Sequence, residues 1–163
     1  MKVFTFLGST AFLVPFYVLL IAYYFLKKNY LFGIYILIIT ASSTVLFVGL
    51  KLIFHRQRPG HPVIKGVTGY SFPSGHAMAS TVFYGFVMAC VLTMKPSRHI
   101  TVIAAGIVMI GLVCMSRVYL GVHYLSDVLA GILEAITWST LVLTGLHIAR
   151  AYRRSAESQR LPE

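Results

Sequence analysis

The sequence is poor in acidic residues. Its 163 residues include four Asp and Glu against 14 Lys and Arg, and two of the four, Glu157 and Glu163, lie in the polar carboxyl-terminal segment. Only Asp127 and Glu134 fall within apolar sequence. Because Mg²⁺ and Ca²⁺ prefer several oxygen ligands each, this scarcity argues against a divalent-metal site. We expect neither a metal nor another cofactor.

Cysteine is also scarce, and charged residues are few overall. The two cysteines, Cys90 and Cys114, both lie inside apolar runs, so the sequence predicts no disulfide framework. Hydrophobic residues make up 58% of the chain and charged residues 11%, with a mean hydropathy of +0.81. Soluble domains average roughly 45–50% apolar and 25% charged residues. The composition therefore indicates a protein whose solvent is the lipid bilayer.

The formal net charge of +10 raises the question of nucleic-acid binding. A nucleic-acid surface gathers its cations on one polar face. Here they are scattered between long apolar runs, where Lys and Arg orient membrane segments and contact anionic head groups. We expect the bilayer, and no nucleic acid, as the partner of most of these cations.

Five apolar segments approach the roughly 20 residues that a helix needs to cross the hydrocarbon core. They are Thr5–Leu26, Leu31–Phe54, Gly75–Met94, His99–Met115 and His123–His147. Because backbone amides must be paired inside a membrane, the spans are expected to be helices. The predicted fold is an all-α, polytopic transmembrane helix bundle. One domain, residues 1–154, would be followed by a short polar cytoplasmic tail, residues 155–163.

Loop charge predicts the orientation, since Lys and Arg accumulate on the cytoplasmic side. One side carries eight cations: Lys27, Lys28, Lys95, Arg98, Arg150, Arg153, Arg154 and Arg160. The other carries six: Lys2, Lys51, Arg56, Arg58, Lys65 and Arg117. The first set is therefore assigned to the cytoplasm. The long loop of residues 55–74 would then face outward.

Two clusters of polar residues border this loop. Lys51 is separated by six residues from Arg58 and Pro59, nearly two helical turns, although Pro59 biases Arg58 out of a helix. Taken alone, Lys51 is more simply a cation reaching the interface from a helix end. The second cluster runs from Pro73 to His76, where a helix amino terminus would offer its amide groups to an anion. An ordinary helix cap explains that tetrapeptide equally well.

The third cluster contains Arg117, His123 and Asp127. His123 and Asp127 stand at positions i and i+4, so we expect them on one helix face. A carboxylate that binds one ring nitrogen fixes the tautomer and leaves the other nitrogen free as a nucleophile. A purely structural His–Asp pair at a helix start is the alternative.

Together and in this order, the three clusters resemble the signature motifs of the type 2 phosphatidic acid phosphatase superfamily. The resemblance covers Lys51 to Asp127; the flanking helices match in hydropathy only. It implies five residues that hold the substrate phosphate: Lys51, Arg58, Ser74, Gly75 and Arg117. It also implies His123 as the nucleophile, His76 as the general acid and Asp127 as the partner of His123.

The same resemblance implies a metal-independent lipid phosphatase of the plasma membrane that forms a phosphohistidine. With the orientation predicted from loop charge, its active site would lie at the extracytoplasmic interface. Its substrate would be a lipid phosphomonoester or diphosphate, such as phosphatidylglycerol phosphate, phosphatidic acid or undecaprenyl diphosphate. Membrane members of the family usually have six spans, whereas five are recognisable here. A natural short form, a truncated start and a neighbouring subunit in a homo-oligomer each account for the difference.

Two other functions stay open at this stage. A non-catalytic protein that binds or transports a phosphorylated lipid would use the same cationic pocket but needs no nucleophile. A vanadate-dependent peroxidase, from the soluble branch of the family, is disfavoured by the five spans. Glu134 lies seven positions after Asp127, and we interpret it as structural rather than catalytic.

Overall fold

The computed structural model describes residues 1–64 and 66–158 and contains no β-strand in those ranges. It forms six α-helices: α1 Lys2–Leu7, α2 Thr10–Leu26, α3 Tyr30–Phe54, α4 Gly75–Met94, α5 His99–Tyr119 and α6 Leu125–Ser158. A short 3₁₀ turn, Pro96–Arg98, joins α4 to α5. The predicted all-α bundle is confirmed.

Four of these helices are long and apolar enough to cross a membrane, and they contain the ranges Tyr30–Phe54, Gly75–Leu92, His99–Tyr119 and Leu125–Tyr152. The first predicted span, Thr5–Leu26, is wrong in its bounds. The helix breaks at residues 8 and 9, which leaves the shorter apolar helix α2. Ser9 causes the restart: its hydroxyl donates to the Phe6 carbonyl at 2.7 Å and accepts the Phe12 N–H at 3.4 Å. The capping serine therefore starts a new helix at this point, although the sequence on both sides of it is apolar.

Helix α4 is central and packs against α2, α3, α5 and α6. Gly131 allows α6 to approach the start of α4, because an added Cβ there would lie 2.6 Å from the Ser74 carbonyl oxygen. At the same crossing the Ser74 N–H donates to the Asp127 carbonyl at 2.9 Å. This contact brings two of the three predicted motifs together.

The long loop between α3 and α4 is held by two backbone hydrogen bonds, one from its middle to the end of α5 and one between its own two ends. Val63 donates its N–H to the Leu120 carbonyl at 2.9 Å, and Ser71 donates to the Arg56 carbonyl at 2.7 Å. The loop is therefore held over the end of the bundle where the motifs meet.

At the carboxyl end of the chain, α6 continues past the proposed domain boundary at residue 154 to Ser158. Residues 159–163 lie outside the described residues.

Candidate active site

A cavity of about 360 Å³ opens among α2, α3 and α4. Its wall includes six of the eight residues singled out from the sequence: Lys51, Arg58, Gly75, His76, Arg117 and His123. The other two, Ser74 and Asp127, are fully buried behind this wall. Residues that are up to 72 positions apart in the chain therefore share one pocket.

His123 presents its two ring nitrogens to different surroundings. Nδ1 lies 3.5 Å from Asp127 Oδ2 and 3.5 Å from Ser71 Oγ, whereas Nε2 lies 3.4 Å from Arg58 Nη1. The expectation that His123 shares a helix face with Asp127 is wrong, because α6 begins at Leu125 and His123 precedes it. The pairing survives, since Asp127 in the first turn reaches back toward the loop. With Nδ1 at the carboxylate, Nε2 is the nitrogen left for chemistry.

The surroundings of His123 favour its neutral form. Burial, together with the positive charges of Arg58, Arg117 and Lys51, lowers the pKa of His123 from 6.5 to about 4, against the opposing effect of Asp127. A neutral imidazole keeps the lone pair that a nucleophile requires. The site therefore favours the neutral form of His123 at neutral pH.

Asp127 is completely buried and accepts hydrogen bonds on both oxygens. Arg56 Nη1 donates to Oδ1 at 2.7 Å, while the Tyr124 N–H donates to Oδ2 at 2.9 Å. The Ser71 hydroxyl also donates to Oδ2. One carboxylate thus caps the start of α6, clamps the long loop and faces His123.

Arg56 and Ser71 are site residues that the sequence analysis missed. Arg56 was counted only as a loop cation, and its guanidinium also lies over the Tyr124 ring, 4.2 Å from the ring centroid. The one available signal was adjacency, because Arg56 lies two positions before Arg58 and Ser71 three before Ser74. Their partner Asp127 is 71 and 56 positions away, beyond any local pattern.

Arg58 is oriented by backbone carbonyls. Its Nε donates to Gly69 at 2.9 Å, Nη2 to Thr68 at 3.1 Å and Nη1 to Val122 at 2.8 Å. As predicted from Pro59, Arg58 lies outside the helix, since α3 ends at Phe54. Burial lowers the pKa of Arg58 from its usual value, and Asp127 opposes that shift. The guanidinium is thereby held in place at the cavity wall.

Arg117 is almost completely buried and only partly paired. Its Nη1 donates to the Thr5 hydroxyl of α1, and its Nε has no partner within the part of the chain that the structure describes. Thr5 was predicted only as the first residue of a span, so its contact with the site was missed. A buried cation with a free N–H is costly unless an anion occupies the space beside it.

The start of α4 departs from its predicted details. Ser74 is the N-cap residue as expected, but its hydroxyl makes no capping bond and has no partner among the described residues. Gly75 lines the cavity, and a Cβ added to it would lie 2.8 Å from the Phe47 ring. The Phe47 ring in turn lies below Lys51, whose Nζ is 4.7 Å from the ring centroid. Gly75 therefore sets the position of Lys51 indirectly.

Glu134 and two histidines of the long loop, His55 and His61, do not line the cavity. His55 Nδ1 faces the Ile53 carbonyl at 3.3 Å, and its ring packs on Tyr70 with centroids 4.5 Å apart. Both carboxylate oxygens of Glu134 are buried without a hydrogen-bond partner in residues 1–64 and 66–158. His61 is exposed in the long loop. Among the described residues, the charged and imidazole side chains that line the pocket are thus those of the three motifs.

These features define a class: a polytopic helical membrane protein with a buried cationic pocket that contains two imidazoles. The family model of the PAP2 superfamily matches residues 29–150. The chain belongs to that superfamily, as the resemblance implied. The match covers all three motifs.

Individual relatives agree with this assignment. Phosphatidylglycerophosphatase B of Bacillus subtilis is 34% identical over 131 residues, which are 78% of this chain and 64% of that protein. Human sphingosine-1-phosphate phosphatase 2 is 31% identical over 107 residues, 61% of this chain and 26% of that protein. The chain thus spans less than two thirds of the length of these curated relatives.

Two solved structures share the fold. The transmembrane PAP2-type phosphatidylglycerolphosphate phosphatase of Bacillus subtilis superposes with a TM-score of 0.79 at 30% identity, covering 90% of this chain and 74% of that one. LpxE of Aquifex aeolicus superposes with a TM-score of 0.62 at 26% identity, covering 88% and 82%. The helical arrangement around the motifs is therefore that of transmembrane members of the superfamily.

Proposed function

We propose that this protein is an integral-membrane lipid phosphatase that hydrolyses a phosphomonoester or diphosphate through a phosphohistidine. The observation that carries the proposal is that His76 and His123 line one cavity together with Lys51, Arg58 and Arg117. Phosphoryl transfer depends mostly on positioning and on neutralising the charge of the phosphate oxygens. Three cations and two imidazoles around one space supply both.

In the first step, His123 Nε2 attacks the phosphorus atom, so that an N–P bond forms and the P–O bond to the lipid breaks. With the negative charge of the phosphate beside it, His76 takes up a proton and gives it to the departing oxygen. The three cations and the amide groups at the start of α4 would bind the phosphate oxygens, with the unpaired Ser74 hydroxyl buried behind them. Asp127 stabilises the positive charge that His123 gains on attack.

In the second step, water attacks the phosphorus atom of the phosphohistidine. His76, now neutral, accepts a proton from that water, an O–P bond forms, and the N–P bond to His123 breaks. Inorganic phosphate leaves, and both histidines return to their starting protonation states. No redox partner is needed, because every proton and electron pair is accounted for within the site and water.

The metal-independent form of this mechanism is favoured by the side chains at hand. Among the described residues, no group of three His, Cys, Asp or Glu side chains is arranged to hold a metal ion. The cations of the pocket take the role that a metal would otherwise have in neutralising phosphate charge. We propose further that the pocket faces the extracytoplasmic side of the plasma membrane, because the loops at the opposite ends carry more Lys and Arg.

The relatives support a lipid as the substrate. Their names include phosphatidylglycerophosphatase B and sphingosine-1-phosphate phosphatase 2, which act on phosphorylated lipids of different backbones. In this chain the cavity continues between apolar helices below the cations. A phosphate attached to a hydrocarbon-bearing molecule would therefore be delivered from the bilayer to the two histidines.

The proposal is tested by phosphate release from lipid phosphates and diphosphates, using the full chain purified in detergent, with and without EDTA. We expect release that EDTA leaves unchanged and that His123→Ala abolishes. His147→Ala, a change of the same kind at an exposed position of α6, should have no effect. Acid-labile, base-stable labelling of the protein by radioactive phosphate would report the phosphohistidine.

Three results would overturn this proposal. One is full activity of His123→Ala. Another is loss of activity in EDTA that Mg²⁺ restores. The third is tight binding of a lipid phosphate without any release, which would favour the non-catalytic binding protein instead.

A further inference from the structure

The cavity extends past the catalytic residues along one face of α3. The wall residues of that helix are Thr40, Ser43, Thr44, Phe47 and Lys51. They are spaced by three or four positions, or follow one another directly, so they form a single stripe on the helix. Moving inward from Lys51, the stripe changes from a cation to an aromatic ring and then to hydroxyl groups.

Two of these hydroxyls are unusual. A Ser or Thr inside a helix commonly donates to a carbonyl one turn earlier. Among the described residues, those that do so include Ser42, Thr44, Ser80, Thr81, Ser116 and Thr140. Neither Thr40 nor Ser43 donates to such a carbonyl in the described parts of the chain: Ser43 Oγ is buried without a hydrogen-bond partner, and the one group that faces Thr40 Oγ1 is the Tyr17 hydroxyl. Ser43 is 1% exposed.

The depth of these hydroxyls can be measured along the helix. Phe47 is level with the start of α4, because its ring lies 2.8 Å from the position that a Cβ on Gly75 would have. At about 1.5 Å per residue, Ser43 lies roughly 6 Å and Thr40 roughly 10 Å deeper. From α2, Tyr17 lies on the same cavity and interacts with Thr40.

We propose that Thr40 and Ser43 form a subsite that binds an ester carbonyl of an acylated glycerophosphate. This inference rests on the proposed phosphatase function and specifies its substrate. With the phosphate among the cations, the glycerol esters are the next polar groups of such a lipid and would extend to this depth. A carbonyl oxygen gives a buried hydroxyl the acceptor it lacks.

The subsite distinguishes lipids by chemistry rather than by length. A polyprenyl diphosphate has only hydrocarbon beyond its phosphates, so it would leave Ser43 unpaired and Thr40 with the Tyr17 hydroxyl alone. Sites that contain buried polar groups discriminate strongly against analogues that cannot pair with them. The protein should therefore prefer acylated phosphatidic acid or phosphatidylglycerol phosphate to undecaprenyl diphosphate.

The test compares diacyl phosphatidic acid with its dialkyl ether analogue, which has the same chains but no carbonyl oxygen. Phosphate release in detergent is measured for wild type, Thr40→Val and Ser43→Ala, with Thr140→Val as the matched control on an exposed face of α6. Wild type should favour the diacyl lipid in kcat/KM. Each cavity variant should reduce that preference by about threefold to tenfold, as expected for one hydrogen bond.

The expected loss falls on the diacyl lipid alone, with the rate on the ether lipid retained, which also shows that the variants are folded. Thr40→Ser should keep most of the preference because it keeps a hydroxyl. Equal rates on diacyl and ether lipids in wild type, or an unchanged ratio in both cavity variants, would overturn the subsite while leaving the phosphatase in place. No release from any lipid would overturn the proposed function and the subsite with it.

Discussion

Asp127→Asn is the substitution that most directly tests how the site activates His123. The change keeps the shape and removes the charge that faces the imidazole, with Oδ2 at 3.5 Å from Nδ1. Unit charges about 4 Å apart attract by about 4 kcal/mol at an effective dielectric constant near 20. Since about 1.36 kcal/mol corresponds to a tenfold change in rate, kcat/KM should fall by up to about a thousandfold.

The same substitution also affects stability. Arg56, Ser71 and the Tyr124 N–H all donate to the Asp127 carboxylate, whereas an asparagine offers them one oxygen. We therefore expect the free energy of unfolding to fall by about 3 kcal/mol. Thermal unfolding in detergent measures this loss separately from the loss in rate.

The assay for Asp127→Asn is phosphate release from phosphatidic acid at a temperature where the variant remains folded. Glu134→Gln is the matched control, because it is the same acid-to-amide change on the same helix and lies outside the cavity. We expect its activity to stay within about twofold of wild type, and its stability to be unchanged or higher, since its carboxylate is buried without a partner among the described residues. A folded Asp127→Asn protein with less than a tenfold loss would refute the reasoning.

Three further predictions follow from the site. Because the pKa of His123 is lowered to about 4, this imidazole stays neutral as the pH falls to that value. The pH profile of kcat/KM should therefore lose activity on its acidic side near pH 4, and a loss near pH 6.5 would contradict the prediction. Arg56→Ala removes the charged partner of a fully buried carboxylate and should lower the unfolding free energy by about 2 kcal/mol, with partial recovery in Arg56→Lys. Gly75→Ala should displace the Phe47 ring, which lies 2.8 Å from the new Cβ, and should raise KM at least tenfold. The control Gly85→Ala should leave KM unchanged, because its new Cβ meets nothing within 4 Å.

The architecture was predictable because hydropathy over 20 residues is a strong signal. Four predicted spans correspond to helices, with differences of a few residues at most ends. The first span failed at Ser9, where one capping hydroxyl divides an otherwise continuous apolar run. The end of α6 also differed, since the helix continues to Ser158, beyond the predicted end of the last span at His147. Helix ends depend on single hydrogen bonds that an averaged property does not record.

In the site, the chemically distinctive residues were predictable and their supports were not. Lys51, His76 and His123 stand out because charge and imidazole are rare near apolar segments. Ser71 and Thr5 have no such signal, since a serine or threonine is common anywhere in this sequence. Their roles arise only because folding places them beside a buried charge, Asp127 in one case and Arg117 in the other.

These supports couple the long loop to the chemistry. Asp127 is held by Arg56 and Ser71, which lie near the two ends of that loop, and by the Tyr124 N–H at the start of α6. Movement of the loop would therefore remove donors from the carboxylate that positions His123. It would also release Arg58, whose carbonyl partners include Thr68 and Gly69 of the same loop. His123, the proposed nucleophile, and Arg58, a proposed phosphate-binding cation, thus depend on one segment. A substitution that loosens the loop should therefore impair phosphate binding and attack together.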